Sequence, residues 1–455
     1  MDDNIIKALK GIAGADNVST DDASRAAYAY DATRLKALPD VVVRPGSEAE
    51  VAAVLRLASA RRLPVVPRGA GSGLSGGSVP TRGGITLSFE RMADIINIDT
   101  ANRIVVVQPG VVTGVLQKAV EDKGLFYPPD PGSLAFCTIG GNVAENAGGM
   151  RALKYGVTRD YVIGLRAVLP SGEVIKTGVR TAKGVVGYDL TRLIVGSEGT
   201  LAVVTEITLR LVPKPLSVVT MTAYFADQEG AGRAVASIMA SPVTPRCLEF
   251  LDTEALKAGA AHSGMKLPGD AGGFLLIETD GSPEEARRQA DVIRGIIEPD
   301  AIEVRVAADA PEAAALWKLR RSTSQALFSI APDKINEDTV VPVSRVHEAL
   351  AGFAEIGKRH GLKVVCFGHA GDGNIHVNVM TDRKDKTRFS EAEKAVEEIF
   401  QLVLGLGGTI SGEHGIGLTK AQYLRMELSE VEVDLLKRVK HAFDPDGILN
   451  PGKIF

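Results

Sequence analysis

The sequence predicts an α+β protein in two parts, divided near residue 215. Three observations carry this. The 455 residues are enough for two or three domains of about 150 residues each. Strand-like and helix-like hydrophobic periods alternate along the whole chain, with strands dominating the first half and helices separating most strands beyond 216. LVPKPL at 211–216 places two prolines at a change of rhythm and reads as a linker.

Residues 1–37 read as short helices ahead of a core at 38–215. VVVRP (41–45) is a strand. Ser47 and Glu50 form an S-x-x-E capping box, and Val51, Val54, Leu55 and Ala58 supply the apolar face of the helix that follows. Strands are expected at 64–67, 85–89 and 103–110, a helix at 112–124, and strands at 162–169, 173–177 and 201–211. Beyond the linker, strands near 218–225, 246–251, 273–279, 302–307, 338–342, 362–368 and 374–380 suggest a largely antiparallel sheet backed by helices. The succession of β-α-β units invites a ferredoxin-like reading. A helix at 430–443 precedes the tail FDPDGILNPGK.

Composition narrows the function classes. Apolar residues are 45% and charged residues 24%, an ordinary globular balance that excludes disorder, collagen and coiled coil as the main architecture. The net charge of −4 gives no footprint for nucleic acid. No apolar run reaches the ~18–20 residues of a membrane span. MDDNIIKALKG lacks the basic start of a secretory signal. Cys137, Cys247 and Cys366 are far apart and form no C-x-x-C, which fits a reducing compartment.

Glycine stands at 49 residues, about 11% against a usual ~7%. It concentrates in PRGAGSGLSGG (67–77), PPDPGS (128–133), TIGGNVAENAGG (138–149) and VGSEGTLAVVTEITL (195–209). Gly71, Gly73 and Gly76 make a formal G-x-G-x-x-G. The Rossmann use of that motif needs a helix after it, and GSVPTRGG opens none, so a nicotinamide-linked Rossmann enzyme is disfavoured. The remaining readings are a backbone nest for an anion and a connection that binds nothing. Gly140, Gly141, Gly148 and Gly149 would let main chain lie directly against a flat or charged ligand.

No histidine precedes His262. In VVCFGHAGDGNIHVNV, Asp372-Gly373 between alternating apolar residues signals a two-residue hairpin turn. Such a turn pairs Gly371 with Asn374 and Ala370 with Ile375, so that His369 faces His376 directly. Asn378 then shares the face of His376, while Ile375, Val377 and Val379 face the core. Glu413 and His414 sit in SGEHGIG, where Gly412 and Gly415 permit a backbone that presents both side chains. Two His and one carboxylate suit a catalytic metal; from spacing alone, a hydrogen-bonded histidine pair without metal remains open. His262, His347, His360 and His441 read as exposed or capping residues. On the helix near 311–330, Trp317, Arg320 and Ser324 share a face at i, i+3, i+7. Arg320 or its neighbour Arg321 would suit a carboxylate, against the alternative of a solvated basic face.

The four glycine segments, in this order and spacing, resemble the FAD-binding domain of the vanillyl-alcohol oxidase and p-cresol methylhydroxylase type. With GHAGDGNIHVN (368–378), SGEHGIG (411–417) and LNPGK (449–453), the chain from about residue 38 onward is similar to flavin dehydrogenases of D-2-hydroxy acids: D-lactate dehydrogenase, the glycolate oxidase FAD subunit and D-2-hydroxyglutarate dehydrogenase. The resemblance implies a two-lobed FAD-binding domain (1–215) and an α+β substrate or cap domain (216–455), whose tail (441–455) returns to the flavin. It implies FAD contacts at Pro67, Arg68, Gly69, Ala70, Gly71, Ser72, Gly73, Gly76 and Gly77. Further contacts would come from Pro131, Gly132, Ser133, Thr138, Gly140, Gly141, Asn142, Asn146, Ala147, Gly148 and Gly149, then Glu198, Gly199, Val203 and Asn450.

The resemblance also implies His369, His376 and Glu413 as ligands of a divalent metal, zinc first with manganese or iron as alternatives. His414 would be the base, with Asn378 beside it. Arg320, Ser324 and Lys334 would be candidates for the substrate carboxylate. FAD is expected to be noncovalent: no His lies in the first half, and Cys137 reads as buried packing. The implied reaction is oxidation of a small D-2-hydroxy acid, D-lactate or glycolate favoured through EDTVVPVSR (337–345), to the 2-oxo acid by hydride transfer to flavin N5. Alternatives are D-2-hydroxyglutarate oxidation, a flavoprotein subunit of a multi-subunit glycolate oxidase complex, and an aromatic-alcohol or sugar oxidase on the same scaffold. Expected partners are the acid and an electron acceptor (quinone, cytochrome, electron-transfer flavoprotein or partner subunit), with a homodimer left open. The expected location is cytoplasmic, or peripheral to the inner membrane through a partner.

Overall fold

Val41, Val42 and Val43 are all fully buried, as expected of a strand covered on both faces. In the computed structural model, which describes residues 1–455, this strand lies in a four-stranded sheet ordered Val18–Ser19, Val41–Val43, Ile85–Ser88, Val65–Arg68. The last three run parallel. The helix Glu48–Arg61 buries Val51, Val54, Leu55 and Ala58 against them. Ser47 caps it by accepting from the Glu50 amide (3.3 Å), but Glu50 reaches one residue further back than a standard box, to the Gly46 amide (2.8 Å). A second, antiparallel sheet is ordered Ile95–Asp99, Ile104–Val107, Val203–Arg210, Val162–Val168, Val174–Gly178. Its first strand, Ile95–Asp99, has half-exposed and exposed residues throughout, and its weak apolar pattern left it unseen in the sequence.

The chain divides into two units. One comprises Met1–Gly148, Gly156–Lys214 and Glu413–Phe455; the other comprises Gly149–Tyr155 and Pro215–Gly412. The segment returning to the first unit is thus longer than 441–455. Leu449 forms a parallel bridge with Val65 and joins the core of Val41, Leu55, Ile85 and Leu87.

The second unit is built on a seven-stranded sheet ordered Glu303–Val306, Ser217–Phe225, Gly273–Gly281, Cys247–Asp252, Lys363–His369, Asn374–Thr381, Asp333–Val340. Every neighbouring pair is antiparallel. The first four strands have the 4-1-3-2 order of a ferredoxin-like unit. Helices Thr253–Ser263 and Ala310–Ala326 cover part of one face through Leu256, Leu316, Trp317 and Leu319, which pack with Leu251, Phe274 and Leu276. The short piece 149–155 is tied to this unit at Asp280, which takes an ion pair from Lys154 and a hydrogen bond from the Tyr155 hydroxyl (2.6 Å). No helix is long and apolar enough to cross a membrane.

Candidate active site

In the first unit, strand Val65–Arg68 runs out into residues 69–77, where no helix forms, as the proline and glycines that follow require. Gly71 has φ +69° and folds over the Arg68 guanidinium, leaving no room for a Cβ. Arg68 is buried and donates from Nη1 to the Tyr30 carbonyl (2.7 Å) and Ser78 Oγ (3.1 Å), so it braces the loop from beneath. Pro67, Gly69, Gly71, Ser72 and Gly73 are half-buried and Ala70 is exposed, whereas Gly76 and Gly77 are buried.

The helix Ile139–Glu145 begins at Thr138, whose Oγ1 accepts from the Gly141 amide (3.3 Å). Gly140 lets it press on Pro109. Asn142 donates to Thr113 Oγ1 (2.7 Å), and Asn146, with φ +54°, accepts from the Arg159 amide (2.8 Å). These two amides hold the segment together. The Ala147 carbonyl accepts from Thr158 Oγ1 (2.7 Å). Gly132 is exposed, with open space where a Cβ would stand, and the turn Pro131–Ser133 is closed by the Leu134 amide on the Pro131 carbonyl (2.8 Å). Cys137 is buried and hydrogen-bonds Thr113 Oγ1 (3.3 Å), as packing predicts.

Asn450, φ +43°, ties these segments together: its Nδ2 donates to the Gly77 carbonyl (2.8 Å) and the Glu198 carbonyl (2.7 Å). Glu198, φ +53°, precedes Gly199, φ +66°, in a turn that leads to Val203 at the start of the next strand. Glu198 Oε1 accepts from the Ile416 amide (2.8 Å). The stretch after His414 is laid on the same loops: Leu418 donates to the Ser75 carbonyl (2.7 Å), and a Cβ on Gly415 would come within 2.7 Å of Glu145 and 3.0 Å of Glu198. Gly148 lies equally close to Glu413, 2.9 Å from its Oε2 to a would-be Cβ. Burial pushes the Glu198 carboxyl up to about 7 and raises Glu145 well above the usual range, the latter reinforced by Glu198.

These residues fit a dinucleotide flavin. Main chain without side chains is exposed at Gly132 and partly exposed at Gly69, Gly71, Gly73, Gly140 and Gly141, and the buried Asn450 Oδ1 has no hydrogen-bond partner.

In the second unit the hairpin differs from its expected register. Residues 370–372 form a 3-10 turn and Gly373 takes φ +82°, so Ala370–Gly373 are all loop. A two-residue turn of the expected type needs positive φ at both central residues, and Asp372 does not have it. His369 therefore pairs with Asn374, and His376 with Phe367. The two histidines are diagonal neighbours on one face, with ring centroids 5.2 Å apart, edge to face. Asn378 shares that face as expected. It is fully buried, and its Nδ2 is spent on the Val365 and His376 carbonyls (both 3.2 Å), while its Oδ1 has no partner.

Glu249 and Asp338 were not among the residues singled out from sequence, yet they organise this face. Glu249 lies beside His369 on the neighbouring strand, with Oε1 2.7 Å from His369 Nδ1. Its Oε2 accepts from Arg320 Nε (2.7 Å) and lies 2.6 Å from Nη2 in the same ion pair. Burial alone would raise Glu249; the adjacent His369 and Arg320 outweigh it and hold the carboxyl below its usual value. Asp338 pairs with His376 across the sheet, Oδ1 lying 3.7 Å from Nδ1 and accepting from Asn374 Nδ2 (2.6 Å). Asp338 Oδ2 accepts from the Gly412 amide (2.9 Å), fixing the chain one residue before Glu413. The signal for Glu249 was available: an acid flanked on both sides by apolar residues in CLEFL.

Lys334 is on strand Asp333–Val340, paired with Met380 and hence on the same face. It donates to Ser324 Oγ (2.9 Å) and the Ser324 carbonyl (3.1 Å). Ser324 is exposed and Arg320 buried, so the expected common face of Arg320 and Ser324 spans the edge of the helix's buried side. Arg321 is exposed, over the Trp317 ring. A histidine pair backed by carboxylates suits a borderline divalent cation.

Residues 214–454 match the family of FAD linked oxidases, C-terminal domain, and residues 39–178 match the FAD binding domain family. The chain is 46% identical over 99% of its length to the glycolate oxidase subunit GlcD of Bacillus subtilis, covering 97% of that protein. It is 38% identical to a D-lactate dehydrogenase of Anaerostipes hadrus (92% of this chain, 90% of that one). With a D-2-hydroxyglutarate dehydrogenase of Stutzerimonas stutzeri the identity is 35% (100% and 99%). Among solved structures, p-cresol methylhydroxylase with substrate bound superposes with a TM-score of 0.82 at 18% identity, over 99% of this chain and 96% of that one. The expected fold of the FAD-binding part is therefore observed.

Proposed function

This chain belongs to the FAD linked oxidase family, and we propose that it oxidises a small D-2-hydroxy acid to the 2-oxo acid, with D-lactate or glycolate ahead of D-2-hydroxyglutarate. The observation that carries the reading is the polar face of the second sheet, where His369, His376 and Asn378 stand together on one face of the hairpin. The names of the relatives, a glycolate oxidase subunit, a D-lactate dehydrogenase and a D-2-hydroxyglutarate dehydrogenase, agree with it.

FAD would be held, without a covalent bond, by residues 67–77, 131–133 and 138–149, with Glu198, Gly199, Val203 and Asn450. His369, His376 and Glu413 would hold a divalent metal, zinc before manganese or iron. The chemistry these groups supply when bound is two-electron acceptance by FAD and polarisation of the substrate's 2-hydroxyl by the metal. His414 takes the hydroxyl proton as the general base. Arg320, Lys334 and Ser324 orient the carboxylate, and Asn378 offers its unpartnered amide oxygen to the face on which the acid sits. Electrons leave to a quinone, a cytochrome, an electron-transfer flavoprotein or a partner subunit; the word "subunit" in the name of the Bacillus relative favours the last.

Stopped-flow bleaching of the flavin by paired D and L 2-hydroxy acids of differing length and charge tests the reading. Only D acids should bleach it, and His414→Ala should slow bleaching by ~10²-fold or more. Bleaching by no hydroxy acid, or an undiminished rate in the His414 variant, overturns the reading.

A further inference from the structure

A carboxylate sunk in an apolar strand needs a reason. Every residue of Cys247–Asp252 is buried, and Glu249 is surrounded in sequence by Leu248, Phe250 and Leu251. The fold does not require an ion there, since well-packed apolar residues commonly stabilise such a position as well or better. The pairing is also unlike that of an ion pair made for stability. Arginine and carboxylate pair best as two parallel forks, one nitrogen to each oxygen. Here both Arg320 nitrogens, Nε and Nη2, converge on Oε2 alone, and Oε1 is given to His369 Nδ1 at 2.7 Å. A closed ring of five side chains results. Arg320 lies over the Phe367 ring (4.9 Å), Phe367 abuts His376 (5.4 Å), His376 abuts His369 (5.2 Å), and Glu249 joins His369 back to Arg320.

We propose that Glu249 is the positioning residue of the histidine pair: it fixes His369 as the Nδ1–H tautomer, turns the lone pair of Nε2 toward the metal, and holds Arg320 at a set distance from that metal. The assignment of Nε2 as the ligating atom rests on the metal reading above; the tautomer does not. An ionised carboxylate only accepts, so the bond at Nδ1 must be donated by the ring, and the second nitrogen is then the basic one. Carboxylates behind metal-bound histidines commonly fix the ring and strengthen it as a ligand. Arg320, with its Nε edge committed to Glu249, keeps its Nη1–Nη2 edge to meet a substrate carboxylate end-on. That arrangement suits a short acid with its carboxylate near the metal.

The test uses the flavin-loaded full chain, with flavin absorbance as the control for folding. Glu249→Gln keeps the shape but leaves the Arg320 charge uncompensated. Glu249→Leu with Arg320→Met removes both charges together and covers the case in which the single variant does not fold. Zn²⁺ affinity is measured by competition with a chromophoric chelator. Both variants should bind Zn²⁺ about 10–100-fold more weakly than the parent, the usual worth of such a partner. Unchanged affinity with full flavin content overturns the proposal. Nitrogen-15 spectra of the seven histidines, with His369 assigned by its loss in His369→Gln, should show the Nδ1–H form in the parent both before and after chelation. An Nε2–H ring at His369 overturns the proposal whatever the metal result. Should the parent bind no Zn²⁺, the metal reading fails, and the tautomer alone decides the role of Glu249.

Discussion

Replacing Asn450 by alanine should destabilise the FAD-binding part by about 3 kcal/mol. The side chain donates two bonds, 2.8 Å to the Gly77 carbonyl and 2.7 Å to the Glu198 carbonyl, and it is 2% exposed. Leaving a buried partner unsatisfied costs about 1–3 kcal/mol each. The backbone at φ +43° suits Asn better than Ala, by roughly 1 kcal/mol. Water entering the space left behind recovers part of this sum, which brings the expectation to the lower end. At about 2–4 °C per kcal/mol for a domain of this size, the unfolding transition falls by about 6–12 °C. Scanning calorimetry measures it, and release of flavin fluorescence on heating reports whether the FAD-binding part is the one affected. Asn450→Asp separates geometry from donation, because it keeps the shape and tolerates the same φ but sets acceptors against both carbonyls; it should be at least as unstable. An alanine variant within about 0.5 kcal/mol of the parent, the range of an ordinary surface change, would refute the reasoning.

Gly373→Ala should lower both the unfolding midpoint and the rate of flavin reduction, because a Cβ at φ +82° would run into the Val341 carbonyl; a variant matching the parent in both would mean the turn is not as described. His360 lies between Glu391 (3.0 Å) and Glu398 (2.9 Å), and these acceptors raise its pKa above the ordinary value. A raised folded pKa stabilises fully below the unfolded value of about 6.5 and is lost as pH climbs through the folded one. The midpoint gap between parent and His360→Gln should thus be wide at pH 5.5 and shrink by pH 9, as read by thermal scans across that range; a gap constant with pH would count against it. Dialysis against a chelator should remove one metal per chain and depress substrate bleaching while the flavin stays bound. Metal analysis showing none removed, with full activity, would leave the histidine pair without a cation.

Much of this molecule could be read before its coordinates. The strands of both parts come from unbroken valine and isoleucine runs or from two-residue alternation, and those signals are local. The glycine loop at 67–77 was legible for the same reason: no helix can start on GSVPTRGG. What escaped was set by pairing across distance. The histidine hairpin has the right residues on the right face but a register shifted by the 3-10 turn, because Asp372 lacks the positive φ that a two-residue turn demands. Glu249 and Asp338 take their meaning from residues more than thirty positions away, His369 for one and Asn374 and Gly412 for the other. Arg320 was recognised as a cation on a helix, but its buried partner on another strand could not be seen from the helix alone.

The bridge between Leu449 and Val65, with the Asn450 amide seated on Gly77 and Glu198, has a consequence for how the protein is made. A ribosome delivers roughly 5–20 residues each second, so the loop around residue 77 waits on the order of tens of seconds for its clasp. Throughout that interval the nascent first part lacks its fastening bridge, and by its end the last strand of the inserted second sheet, Asn374–Thr381, has already been made. The first part thus gains its clasp only after the second sheet has been made, and a polypeptide stopped short of residue 449 keeps every strand of that sheet while leaving the Gly77 and Glu198 carbonyls without the Asn450 amide.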